Sequence, residues 1–127
     1  MMTQGEMEAA VCQGISKFEL ECMGRGPKDI RCFLINDLLL IRLQGVLTAA
    51  EQHLVRTQSP EKGRDLLKDV RTQLIEIARP ALEALIETIT GSKVVSLHHD
   101  ISTVIGEEVI LFSLDSTPVF RATSNKD

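Results

Sequence analysis

A chain of 127 residues, 43% hydrophobic and 25% charged, is long enough to bury a core without a disulfide or a structural metal. Its 14 Lys and Arg against 18 Asp and Glu leave a net charge of −4, with no basic run to displace counterions from nucleic-acid phosphates. Trp and Tyr are absent and Phe occurs 4 times, so stacking platforms for single strands are missing and the core must be aliphatic. No nucleic-acid partner is expected.

Cys12, Cys22 and Cys32 form an odd set without metal-ligand spacing, and they read as small hydrophobes rather than a disulfide framework. The N-terminus lacks the charged start and apolar run of a secretory signal. The uninterrupted apolar run Leu38 to Ile41 is far too short to span a bilayer. A cytoplasmic chain that does not itself insert into a membrane is the expectation, with any membrane role passing through a partner.

In chain order, residues 4–23 predict a helix, with Met7, Val11, Ile15, Phe18 and Cys22 forming one apolar stripe. Gly24 and Gly26-Pro27 stop it, because Gly takes the left-handed cap and Pro cannot extend a helix. Ile30–Ile35 and Leu38–Leu43 read as strands around Asn36-Asp37, a polar break that suits a tight hairpin. Both strands are apolar at nearly every position, which predicts burial on both faces. Thr48-Ala49-Ala50-Glu51 is a capping box opening a short helix to about Thr57. Ser59-Pro60-Glu61 opens a long helix to about Thr90, closed by Gly91 and kinked at Pro80. Its expected stripe is Leu67, Val70, Leu74, Ile77, Ala81, Leu85 and Ile89, close to a heptad seam that serves as core or dimer contact. A second hairpin, about 93–99 and 107–114, completes the pattern.

The order α-β-β-α-α-β-β predicts an α+β fold: a four-stranded, mostly antiparallel sheet with helices packed on one face. One domain over 1–115 carries a polar, frayed tail, 116–127, in which Val119 and Phe120 could still dock. The far face of the first hairpin then needs cover, and a second copy in a symmetric dimer is the simplest source.

Chemically capable side chains cluster at Ser96-Leu97-His98-His99-Asp100-Ile101-Ser102-Thr103, followed by Gly106-Glu107, expected at the end of the second hairpin. Strand alternation puts His98 and Asp100 on one face and His99 on the other. A hydrogen-bonded loop accounts for such residues without any further role, since Asp, Ser and Thr bond neighbouring backbone. His98 and Asp100 supply two ligands where zinc normally wants three or four, so no metal or other cofactor is assigned. Binding of a small anion, a regulatory ligand or a partner through His98, Asp100, Ser102, Thr103 and Glu107 remains open. So does His–Asp acid–base chemistry, although no nucleophile or phosphate loop accompanies it. Arg71 and Arg79, eight positions apart on the long helix, read first as surface charges paired with Glu or Asp. Arg79 sits at the expected kink, where a freed carbonyl adds interest. The turn Arg25-Gly26-Pro27-Lys28 ends a helix and aims the next strand, yet could also cradle an anion with its amides and two cations.

Several segments together resemble a known family. They are Gly24-Arg25-Gly26-Pro27, Gly45-Val46-Leu47-Thr48-x-Ala50-Glu51-x-x-Leu54, Arg71-Thr72-x-Leu74, Arg79-Pro80-x-Leu82-Glu83, Thr90-Gly91-x-Lys93-Val94, and His98-x-Asp100-Ile101-Ser102-Thr103-x-x-Gly106-Glu107. In this order and spacing, over residues 7 to 115, the chain is similar to the MpsC-like family of small bacterial proteins associated with a sodium-translocating, membrane-potential-generating system. The likeness departs at Val104-Ile105, where a polar pair, often Lys-Thr, is usual. The resemblance implies a soluble component accompanying membrane subunits that move cations or inorganic carbon, with no catalytic residue assigned. The expected function is therefore a non-enzymatic accessory or regulatory homodimer attached to a membrane transport subunit. The alternatives are a small metal-dependent or His/Asp enzyme using His98, Asp100 and Glu107, and a scaffolding or chaperone-like dimer.

Overall fold

The computed structural model describes residues 1–57 and 59–122. Seven elements follow one another: helix α1 (Gln4–Met23), strands β1 (Asp29–Ile35) and β2 (Leu38–Gln44), helices α2 (Ala49–Thr57) and α3 (Pro60–Thr90), and strands β3 (Val94–Ser102) and β4 (Glu107–Leu114). This is the expected α+β order. The sheet runs β1-β2-β4-β3 with every neighbouring pair antiparallel.

Local chemistry sets the ends. A capping box at Thr3 and Glu6 opens α1, the Glu6 amide donating to Thr3 Oγ1 and the Thr3 amide to Glu6 Oε1. Gly24 (φ 84°) closes it with its N–H on the Leu20 carbonyl, and Gly91 (φ 75°) closes α3 in the same way on Glu87. Asn36 at φ 57° makes the β1–β2 turn. Helix α3 continues through Pro80, whose side chain is exposed.

The core lies between the sheet and α1 and α3. Met7, Val11 and Ile15 of α1 meet Cys32, Leu39, Ile41, Leu43, Ile110, Phe112 and Leu114 of the sheet, together with Leu67, Ile75, Leu82 and Ile86 of α3. At Gly14, α1 and α3 approach so closely that a Cβ would stand 2.7 Å from Leu85.

Two expectations about faces need correction. The buried stripe of α3 is rotated from the expected seam: Leu67, Ile75, Leu82 and Ile86 point inward, while Val70 (53% exposed) and Ile77 (78%) face out. The reason is Arg71, which occupies the inward phase rather than the surface position its charge predicts. The first hairpin is buried on one face only within this chain. Cys32, Leu39, Ile41 and Leu43 are inside, but Phe33 is 44% and Ile35 56% exposed on the outer face. Strand β3 is also longer than expected. Asp100, Ile101 and Ser102 pair with Val109, Glu108 and Glu107, so His98, His99 and Asp100 lie within a strand and the turn is 103–106.

In the C-terminal segment, Phe120 packs on the core and the Arg121 amide donates to the Met2 carbonyl at 2.8 Å, while Val119 is exposed. Residues 123–127 of the expected tail lie outside the described residues.

Candidate functional site

The chain after β2, Gly45–Thr48, forms a wall with a different environment on each side. Inside lies a buried charge cluster centred on Arg71. Outside lies a cleft rimmed by cations.

Arg71 is fully buried. Its Nε and Nη2 bind the two carboxylate oxygens of Glu51 at 2.9 and 2.8 Å, a bidentate pair, and Nη2 also donates to the Val46 carbonyl at 3.1 Å. Nη1 lies 3.5 Å from Glu19 Oε1 and 3.4 Å from Glu108 Oε2. His99 Nε2 meets Glu108 Oε2 at 2.6 Å. Glu51 is thus both the cap of α2, through Thr48, and the main counter-ion of Arg71.

Three carboxylates around one guanidinium cannot all stay ionised out of water. Burial, with the Glu108 carboxylate beside it, pushes Glu19 up to about 9, so Glu19 is protonated at neutral pH and donates to Glu108. Burial works against Glu108 too, but the hydrogen bonds from His99 and Glu19 hold it below the usual glutamate value. Glu51 overcomes its own burial through Arg71 and the Thr48 amide and is likewise lowered.

On the outer side, a cleft of about 380 Å³ is lined by Arg25, Lys28 and Arg56, by the polar groups of Gln52 and Thr103, and by Leu47, Val55, Val104 and Ile105. Its walls are fixed by backbone. The Val46 amide donates to the Gly106 carbonyl at 3.2 Å, tying β2's end to the β3–β4 turn. The Leu47 carbonyl accepts from Arg25 Nη1 (3.3 Å) and Gln52 Nε2 (3.1 Å). Gly45, at φ 67°, lies under the Lys28 stem, where a Cβ would come within 2.6 Å. Successive carbonyls of the wall therefore point opposite ways, Val46 in to Arg71 and Leu47 out to the cleft.

The expected site residues separate. Arg25 and Thr103 line the cleft. Arg71 anchors the wall from behind. Asp100 faces out and binds Lys68 Nζ at 3.0 Å, which with the Ile101 amide holds it below the usual aspartate value. His98 is exposed on the outer sheet face and Ser102 gives its carbonyl to the Gly106 amide. Glu107 is held by Arg42 at 2.7 Å. Arg79 pairs along its own helix with Glu83 at 2.7 Å and Glu76 at 3.8 Å, away from the cleft. Among the described residues no three His, Cys, Asp or Glu side chains come together to hold a metal ion.

Sequence reasoning missed Glu19, Glu108, Gln52 and Arg56. The first two had a visible signal. Glu19 continues the four-residue step Met7, Val11, Ile15, and Glu108 shares the phase of Ile110, Phe112 and Leu114. A charge on an apolar phase needs a buried partner.

The fold and site define an α+β protein whose antiparallel sheet carries its helices on one face and a cationic cleft at one end. The chain belongs to the MpsC family, described as the Na+-translocating membrane potential-generating system (MpsC), which matches residues 3–116. It is 31% identical over 112 residues to the uncharacterized protein YbcI of Bacillus subtilis (strain 168), covering 88% of each chain. It is 33% identical over 103 residues to the uncharacterized protein YrhF of the same organism, covering 80% of this chain and 81% of the relative. No solved structure shows a significant match. No helix of the described residues is long and apolar enough to cross a membrane.

Proposed function

We propose that this protein is a non-enzymatic accessory or regulatory component of a membrane cation or inorganic-carbon transport system, working as a homodimer in the cytoplasm. The family description supplies the link to a membrane-potential-generating system. The observation that carries the dimer is the uncovered outer face of the sheet. There Phe33, Leu40 and Leu111 form a continuous apolar row in register across β1, β2 and β4, beside Ile35 and Leu38. Such a patch on a small chain marks an interface. The same face is self-complementary in charge. Its next row reads Arg31, Arg42, Val109, Asp100 across the sheet. A two-fold axis parallel to the strands sets Arg31 of one copy over Asp100 of the other, and the leucines of the two rows against each other.

Affinity purification of the tagged protein from detergent-solubilised native membranes tests the reading. Recovery of an integral membrane transport subunit with a dimer is the expected result. Recovery of a lone monomer from the soluble fraction would refute it.

A further inference from the structure

The cleft outside the Gly45–Thr48 wall is a concentration of positive charge on a chain of net charge −4. Arg25 and Lys28 come from the turn between α1 and β1 and Arg56 from α2, and no Asp or Glu lines the cleft with them. Arg25 and Arg56 each commit one terminal nitrogen to a neutral acceptor, the Leu47 carbonyl and Gln52 Oε1. Their positive charges are thus oriented but not neutralised. The rest of the lining is largely apolar: Leu47 and Val55, with Val104 (91% exposed) and Ile105 (65%) on the β3–β4 turn. Two large aliphatic side chains in water beside three cations are costly unless something covers them. A volume of about 380 Å³ is at the small end of ligand clefts.

We propose that this cleft binds a small amphiphilic phosphate: a phosphate head held by Arg25, Lys28 and Arg56, with Thr103 and Gln52 as neutral donors, and a short apolar body against Leu47, Val55, Val104 and Ile105. Arginines suit a phosphate because their planar forks offer paired donors, and a lysine adds a mobile point charge. The ligand reaches the cleft either as a free phosphate monoester or as the headgroup of an acidic phospholipid at a membrane surface. The proposal stands apart from the transport reading, since it needs no protein partner.

Titration of 15N-labelled protein with n-hexyl phosphate tests it by amide shifts. Saturable shifts at Leu47 and at Thr103 to Gly106 are expected, at least tenfold tighter than with inorganic phosphate. Lys28→Glu with Arg56→Glu is expected to weaken hexyl phosphate at least tenfold, while Lys17→Glu, on the exposed side of α1, leaves it unchanged. Val104→Ser with Ile105→Ser, both at solvent-exposed positions, should bring hexyl phosphate down to the affinity of inorganic phosphate. This second variant keeps the test valid if the charge reversals impair folding. Flotation with phosphatidylglycerol vesicles that hexyl phosphate competes away identifies the lipid as the source. Hexyl phosphate binding without flotation identifies a free monoester. No saturable shift, equal binding of inorganic phosphate, or binding indifferent to both double variants overturns the proposal.

Discussion

Arg71 shows how much one side chain can decide. It sits where an aliphatic residue would continue the α3 stripe, yet it holds Glu51, Glu19, Glu108 and the Val46 carbonyl together at the interior face of the cleft wall. Removing one partner of a buried ion pair leaves the others uncompensated, at a cost of roughly 3–5 kcal/mol. Arg71→Ala should therefore lower stability by about that much in urea titrations. Arg79→Ala, which loses only solvent-screened pairs on the helix surface, should cost far less. Equal effects would contradict the assignment of Arg71 as the hub. The proton on Glu19 gives a second expectation. Its folded value is raised to about 9, well above the ordinary glutamate value of 4.5, so the folded state binds a proton more tightly than the unfolded one. The resulting stability is fully present below about 4.5 and is lost as pH rises through about 9. Glu108 and Arg71 face this carboxyl, and the lowered Glu51 and Glu108 of the same cluster act with opposite sign only at acid pH. Thermal melts should fall steadily from pH 6 to pH 9, and Glu19→Gln, which keeps a neutral donor toward Glu108, should flatten that fall.

At the scale of elements, chain punctuation was legible and facing was not. Thr48 and Glu51, Ser59, Gly24 and Gly91 cap or close helices where their types predict, because a cap is decided by hydrogen bonds within four residues. The Asn36-Asp37 break also makes the expected hairpin, but only Asn36 takes positive φ. Asn tolerates that region better than Ala, for which left-handed backbone costs about 1–2 kcal/mol. Asn36→Ala should destabilise by about 1 kcal/mol and Asn36→Gly by less, measured as shifts in the urea midpoint. If Ala and Gly behave alike, backbone conformation is not what selects Asn there. The rotation of the α3 stripe was not legible from hydrophobicity, since Val70 and Ile77 carry as much apolar surface as Leu67 and Ile75. What settled the phase was the set of carboxylates on α1, α2 and β4 waiting for Arg71. The end of β3 was misplaced for a similar reason. Asp100 and Ser102 read as loop residues, but β4 supplies backbone partners for them.

For the whole molecule, the decisive feature is a sheet with one covered face. The outer rows of Phe33, Leu40 and Leu111 are what a second copy would bury, so Phe33→Glu with Leu40→Glu should convert a dimer to a monomer in sedimentation velocity without altering the far-ultraviolet spectrum. A wild-type chain that already sediments as a 14.1 kDa particle would remove the basis for the dimer. The amino-acid order by itself determined the elements, their sequence and the α+β class, because periodicity and caps are local and each element states its own. It also brought forward Arg25 and Lys28, together on one turn, and Thr103 on another segment, as candidates. That Arg25 and Lys28 meet Arg56 across one cleft, and that Arg71, Glu19, Glu51, Glu108 and His99 share one buried cluster, was decided only by tertiary structure. Those residues are up to 89 positions apart in the chain, taking Glu19 and Glu108 as the extremes, and charge cares about distance in space, which no local pattern encodes.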